Sequence, residues 1–357
     1  MKRVVFRVDH GLVMGLGHIM RCLSIAKYLL HEYNCQPSFV CKNHEGNIAK
    51  RVKESFPIYL LDVTEQANLE IDTWLGTSWQ DDAQSTLDII GKDRAEILIV
   101  DHYGVDYKWQ NYVKDRMELK VVVIDDLFNR KHNCDILIDQ CYYIKDPYKD
   151  LVPTNCEVLL GFQYIILNPQ FLQLEPKPIS KEIRRINICI GGTDKPNLTE
   201  KIVNILIKNR NKIHNYEKIT FDVVVGATNQ NYSKLKEKLL LFSNFNLLYD
   251  VENMAVVLNK SDLCIGSSGI TSYERIYLKL PSLVITLAPN QMNIATTLHE
   301  LGLFNYLGHY NSFQESDLIS GLNNFISHPG ELEKIYNNLT GIIDGQGIER
   351  IIKKIMD

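Results

Sequence analysis

Short apolar runs rich in Val and Ile alternate along the chain with longer stretches whose apolar residues recur at helical spacing. Runs of the first kind predict strands of a buried parallel sheet, and the stretches between them predict the crossover helices of βα units. In the first half the predicted strands are RVVFRV (3–8), PSFVC (37–41), ILIVDHY (97–103), KVVVIDD (120–126) and CDILID (134–139). The pattern fails over LNPQFLQLEPKPISKEIRR (167–185), which carries three prolines and many charges, and restarts at INICIGG (186–192). FDVVVG (221–226), NLLYD (246–250), DLCIG (262–266) and LVITLA (283–288) complete the second set. The chain therefore reads as α/β, with two doubly wound, Rossmann-like domains over residues 1–166 and 167–357 whose parallel sheets face an interdomain cleft. That outline leaves the last helix free to return to the first domain.

Composition adds bounds. A chain of 357 residues, 45% apolar and 23% charged, has the material for two cores. Its formal charge of −4 gives no basic field to recruit nucleic acid, and no obligate protein partner is implied. The N-terminal MKRVVFRVDHG meets Arg7 and Asp9 before an apolar stretch of signal-peptide length forms. No run approaches the ~18 apolar residues of a membrane span, so the expectation is a cytoplasmic protein with no membrane partner. The eight cysteines show no CxxC or CxxH spacing, and several lie in apolar runs, so buried reduced thiols are expected over metal or disulfides.

Ligands of open parallel sheets gather at the carboxyl ends of strands, which draws attention to four turns. The first, VDHGLVMGLGHIMR (8–21), leaves the first strand through a glycine-bearing loop and enters a helix with a predicted apolar face of Ile19, Leu23, Ala26 and Leu30. Gly15 and Gly17 permit close backbone approach, the helix N-terminus offers N–H groups and Arg21 adds charge, so an anionic ligand suits this turn. His18 then either faces that ligand or serves as a cap or surface residue; the residues alone leave both open. In IGGTDKPNLT (190–199), Gly191, Gly192 and Thr193 match neither GxGxxG nor GxxxxGK[ST], which leaves a simpler phosphate contact. In IGSSGITSYERIYLKLP (265–281), Gly266, Ser267, Ser268 and Gly269 supply small residues and hydroxyls ahead of a helix that carries Glu274. A carboxylate there suits the two hydroxyls of a ribose, or else faces solvent. In LAPNQMNIATTLHELG (287–302), Asn290 suits a helix cap and Gln291 offers a donor and an acceptor.

Taken together, GLGHIMRCLSIAKYL, VDHYGVD, CDILIDQ, LLGFQYIILNPQF, CIGGTD, GSSGITSYERIYLKLPSLVI and the terminal DGQGIERI resemble the PseG family of UDP-sugar hydrolases nearly end to end. The resemblance implies the GT-B architecture, as in MurG, with UDP held mainly by the C-terminal domain. It implies hydrolysis of UDP-2,4-diacetamido-2,4,6-trideoxy-β-L-altropyranose to free sugar and UDP in pseudaminic acid biosynthesis, with inversion, no cofactor and no metal. Its partners would be the UDP-sugar and water. Carried over by position, His18 becomes the catalytic base, with Tyr103 and Asn290 at the sugar. Thr193, the loop Ser267–Ser268–Gly269 and Glu274 become the UDP site, and Gly15, Gly17, Arg21, Gly192 and Gln291 are further substrate contacts. An imidazole with an ordinary pKa of about 6.5 is largely neutral near pH 7 and suits a base. One departure stands out. The family often has a small residue and then Ser after the first strand's aspartate, whereas His10 and Gly11 follow Asp9 here, which sets a second histidine beside His18 as a rival.

Asp101, Asp125 and Asp126 end predicted strands without histidines at ligand spacing, so they suit sugar hydrogen bonding or loop structure over a metal. His102 reads as a satisfied polar residue, and Trp74, Trp79 and Trp109 as packing residues. Two other functions share these residues. A GT-B glycosyltransferase would use His18 to deprotonate a sugar hydroxyl, and a silent sensor would bind a nucleotide sugar without turnover.

Overall fold

Alternation along β1 (Arg3–Val8) sends Val4, Phe6 and Val8 to one face of a sheet and Val5 and Arg7 to the other. The computed structural model in which this is seen describes residues 1–357 except Gln66, Leu69 and Thr193, and except the side chains of Asp72 and Asn290. With β2 (Gln36–Lys42), β3 (Ile58–Leu61), β4 (Ile97–Asp101), β5 (Lys120–Ile124), β6 (Ile136–Asp139) and β7 (Glu157–Leu160), β1 forms an all-parallel sheet of order β3-β2-β1-β4-β5-β6-β7. Its Val4 face packs on the helix Gly17–Tyr33 and on the C-terminal helix Gly347–Met356, through Ile19, Ile25, Ile351 and Ile355. The Val5 face packs on the helices Trp79–Asp93 and Tyr107–Lys114, through Leu87, Ile90, Trp109 and Val113.

Residues Met1–Asn168 and Gly345–Asp357 form this first unit, and Pro169–Asp344 form the second. The C-terminal helix thus belongs to the first unit, the return that the outline from sequence left open for it. The second sheet contains β8 (Arg185–Cys189), β9 (Thr220–Val225), β10 (Phe245–Tyr249), β11 (Leu263–Ser267), β12 (Ser282–Thr286) and β13 (Asn305–His309). Its order, β10-β9-β8-β11-β12-β13, is again parallel throughout. Three strands escaped the sequence pattern: β3, β7 and β13. All three are sheet edges and largely half-buried; β7 and β13 carry polar residues within their short runs, whereas β3, IYLL, is apolar and the sequence reading passes over it. The helix Gly17–Tyr33 is rotated from its predicted face. Ile19, Cys22, Ile25, Ala26 and Leu29 are buried, Leu23 is half-buried and Leu30 is exposed, because the buried stripe also carries His18 and Arg21. All eight cysteines are free thiols.

No helix among the described residues is long and apolar enough to cross a membrane. The C-terminal helix contributes four isoleucines to the first core, each worth ~1.5–3 kcal/mol of burial. Truncating one tests that account. Ile351→Ala is expected to destabilise the first unit by ~2–5 kcal/mol. Hydrogen exchange should then rise in β1 and the helix Gly17–Tyr33 and stay unchanged in β8 and β11.

Candidate active site

β1 and β4 lie side by side where the strand order of the first sheet reverses, and the chain leaves both at the same end. The turn after β1 therefore meets the turn after β4. Gly11 and Gly15 close the first turn with backbone hydrogen bonds of 3.3 and 2.9 Å, and Gly15 takes φ +76°, a conformation a Cβ would strain. Leu16 precedes the helix and Gly17, exposed, begins it. His18 and Arg21, three residues apart on one helical face, both turn inward to Asp101 at the end of β4.

Asp101 Oδ1 accepts from Arg21 Nη2 at 2.6 Å and lies 2.6 Å from His18 Nδ1, while Oδ2 accepts from Arg21 Nε at 2.5 Å. Burial alone would raise the Asp101 pKa, but Arg21 and then His18 outweigh it and hold the carboxyl well below the usual range. An ionised carboxylate only accepts, so the proton on the His18 ring belongs on Nδ1 and the lone pair on Nε2. The arrangement is a base held in one tautomer by a carboxylate whose charge is matched by a guanidinium. Arg21 therefore differs from its expected role. Its charge is engaged by Asp101 and, at 3.3 Å, by Asp126, and is not open to an anion.

Tyr103, also buried, stands edge-on to His18, with ring centroids 4.6 Å apart at 87°. Its hydroxyl donates to Asp126, whose side chain is 19% exposed. Asp125 has a different fate. It accepts from the Leu127 and Phe128 N–H groups and from Tyr148, and pairs with Arg130 at 2.8 Å, which makes it loop structure. Trp74, expected to be packing alone, stacks on Tyr103 at 5.5 Å and stands edge-on to His18 at 6.3 Å. His10 is no rival to His18: it is fully buried, and burial lowers its pKa to about 4. Behind the site, Arg7 binds Asp9 and Asp82, and His102 Nε2 lies 3.0 Å from Asp9 while Nδ1 accepts the Gly104 N–H. Among the described residues no group of three or more His, Cys, Asp or Glu is placed to hold a metal ion.

The second unit repeats the geometry with different residues. β8 and β11 are neighbours at its reversal point, so the Gly191–Gly192 turn lies beside the Ser267–Gly269 loop. Thr193 lies outside the described residues; Gly192 is exposed and its carbonyl accepts from Thr228 at 3.1 Å. The helix Leu198–Lys208 after β8 is closed by Asp194, which accepts the Leu198 and Thr199 N–H groups at 2.8 Å each. The helix Ile270–Tyr277 after β11 starts behind Gly269, at φ +155°, which has no side chain to cap it. Arg275 ties this loop down through Ser267 O at 2.8 Å and Ser272 Oγ at 3.1 Å. A Cβ on Gly266 would lie 2.6 Å from that guanidinium.

Two buried polar atoms here have no hydrogen-bond partner among the described residues, Ser268 Oγ and Arg275 Nε, and the Glu274 carboxyl is buried as well. Burial raises the Glu274 pKa to about 7, against the lowering effect of Arg275. The solvent-facing alternative for Glu274 is thereby removed. Gln291 offers less than the sequence suggested, because Oε1 accepts the Leu287 N–H at 2.8 Å and leaves the Nε2 donor. Asn290 begins the helix Asn290–Glu300, and its side chain lies outside the described residues.

Known proteins resemble this chain at two levels. The UDP-2,4-diacetamido-2,4,6-trideoxy-beta-L-altropyranose hydrolase of Campylobacter jejuni is 30% identical over 301 residues, which span 84% of this chain and 97% of that protein. This chain belongs to that hydrolase family. No family model matches it. In structure, Acinetobacter baumannii MurG superposes with a TM-score of 0.62 at 14% identity, covering 100% of this chain and 99% of that one. S. aureus MnaA in its UDP co-structure gives 0.65 at 13%, covering 99% and 96%. Identities this low bear on fold alone, and the fold is GT-B.

For this hydrolase-family chain, sequence reasoning named His18 and Tyr103 but missed Asp101 as the partner of His18 and Trp74 as its neighbour. The His18/Arg21 spacing on one helix, aimed at an acid ending the next strand of the sheet, was the available signal for Asp101. Nitrogen-15 NMR tests the assignment. At neutral pH the neutral His18 ring should carry its proton on Nδ1, and Asp101→Asn should yield a mixture of tautomers. A wild-type ring protonated on Nε2 alone would contradict the arrangement.

Proposed function

We propose that the protein hydrolyses UDP-2,4-diacetamido-2,4,6-trideoxy-β-L-altropyranose, releasing UDP and the free sugar. The observation that carries this reading is the His18–Asp101–Arg21 cluster, which leaves His18 Nε2 as a fixed acceptor. A water hydrogen-bonded to Nε2 attacks the anomeric carbon from the face opposite UDP. As the new C–O bond forms, the water proton passes to Nε2 and the bond from the anomeric carbon to the diphosphate oxygen breaks, with inversion. UDP departs as a stable anion that needs no proton, so the reaction proceeds without a metal or an acid. The imidazolium formed is stabilised by Asp101, as in other histidine–carboxylate pairs. Tyr103, Asn290 and the exposed edge of Asp126 contact the sugar.

UDP is proposed to lie on the second unit. The open N-terminus of the helix Ile270–Tyr277, the Ser267–Ser268–Gly269 loop, Gly192 and Thr193 receive the diphosphate, and Glu274 receives the ribose hydroxyls. The support is the buried Ser268 hydroxyl, which has no internal partner, and the buried Glu274 carboxyl, whose desolvation is offset once phosphate and ribose bond to them. With no glycosyl acceptor present, UDP and free sugar should appear together. Release of UDP only on adding a sugar acceptor would assign a glycosyltransferase instead, and binding without release a sensor.

His18→Asn is expected to lower kcat by ~10²–10⁴-fold with UDP affinity little changed. The wild-type rate should fall on acidification, because a protonated Nε2 cannot accept. In oxygen-18 water the label should enter the free sugar; label in UDP would mean attack at phosphorus and would remove this role from His18.

Glu274→Ala should weaken UDP binding tenfold or more, from the loss of charge-assisted bonds worth ~1.5–3 kcal/mol. Ribose hydroxyls donate to the carboxylate, so the complex binds fewer protons than the free protein near pH 7. Affinity for a UDP-sugar, whose diphosphate diester does not titrate in this range, should therefore fall as pH drops below about 7. Calorimetry at pH 6 and 8 reads this, and Glu274→Gln should flatten the difference.

A further inference from the structure

We infer that Trp74 is a specificity-determining residue, a carbon wall beside His18 that selects a sugar with a methyl group in place of a hydroxymethyl. The inference deepens the reading of His18 as the base and rests on it. A water accepted by Nε2 lies about 3 Å from that nitrogen and about 3 Å from the carbon it attacks. The reacting carbon is then within roughly 6 Å of the imidazole. Trp74 is at the same range, its ring centroid 6.3 Å from that of His18. On that inference, one edge of a pyranose positioned for attack lies against the indole.

The indole cannot turn or hydrogen-bond to that edge. Its one face stacks on Tyr103 at 5.5 Å, with the planes 30° apart. Its Nε1 donates to Asn68 O at 3.1 Å, and its backbone carbonyl is bound by His44 Nε2 at 3.1 Å. The segment is anchored on both sides, by Trp74 N to Ile71 O and by Thr64 N to Gly76 O. Trp74 is nevertheless only half-buried. Its sole polar side-chain atom is already bonded, so the side chain has only carbon to offer a ligand. A methyl group packs there at no polar cost, whereas a hydroxymethyl would lose water without gaining a partner.

Binding to the full-length His18→Asn chain, read by calorimetry, tests this without turnover. The probes are a UDP-linked 2-acetamido-2,6-dideoxyhexose and its 6-hydroxy counterpart. The 6-deoxy sugar should bind tenfold or more tightly, the discrimination a single apolar contact supports. Adding Trp74→Ala should bring the two within about threefold, and adding Trp74→Phe should keep most of the difference. UDP alone should bind all three variants alike, which checks the second unit, and thermal unfolding checks the first, which carries Trp74; if the alanine variant fails, a folded Trp74→Gln variant, expected likewise to bring the two sugars within about threefold, decides. A ratio near one in His18→Asn, or one unmoved by Trp74→Ala in a chain that still binds UDP, would overturn the role of Trp74. Because no turnover enters the measurement, failure of the wild type to hydrolyse the UDP-linked 2,4-diacetamido-2,4,6-trideoxy sugar would overturn the proposed function and leave the Trp74 result standing.

Discussion

A carboxylate removed from water must be held by donors or counter-charges, and Asp101 is held by the Arg21 guanidinium and the His18 imidazole together. Much of the first unit follows from that requirement. The two partners must lie on one helical face, which the spacing 18 to 21 provides, and that face must meet the end of β4, which the strand order provides by placing β4 beside β1. The helix consequently presents a stripe that is part apolar and part charged to the sheet, which is why its buried face is rotated from a reading based on apolar spacing alone. Once the three groups are assembled, the tautomer of His18 is no longer free. The chemistry of the ring follows from the electrostatics of its neighbour.

A second buried network stands behind the first. Arg7 is the one charged residue on the inward-facing positions of β1, and it is matched by Asp9 and Asp82, which in turn hold Lys42 N–H, Trp109 Nε1 and His102. Burial would raise the Asp9 pKa, yet Arg7 and His102 hold it well below the ordinary value. Buried ion pairs of this kind often add little net stability over apolar packing. Their effect here is positional: Asp9 fixes His102, His102 accepts the Gly104 N–H, and Tyr103 between them is set edge-on to His18.

The central strands, the GT-B fold and the strand-end turns were legible because β1, β4, β5, β8, β9, β11 and β12 are covered on both faces and are mostly apolar. Edge strands β7 and β13 are largely half-buried and left little signal, while the apolar run of β3 was passed over. At the sites, residue type was legible and partnership was not. Arg21 looked like an anion contact because sequence cannot show that a carboxylate 80 positions away neutralises it. Gln291 looked bifunctional until its acceptor met Leu287, and Trp74 sits in a segment with no periodicity at all. His10 looked like a rival base because burial, which holds it neutral, is invisible in a string of letters.

The two units share a strand order and differ in how they treat buried polar groups at its reversal point. In the first, the charges are satisfied internally, so the geometry of the base is complete before any ligand arrives. Preorganisation of that kind suits a group whose lone pair must already be aimed when a transition state forms. In the second, the Ser268 hydroxyl is buried with no internal partner, the Glu274 carboxyl is buried with its pKa raised, and the helix beside them starts at a glycine that offers no side-chain cap. That deficit lowers stability in the free protein, most of all above pH 7 where Glu274 is ionised, and a ligand bearing hydroxyls and an anion relieves it. On the proposed reading, the free energy missing from the second unit is available as binding energy, while the His18–Asp101–Arg21 geometry of the first stands independently of binding.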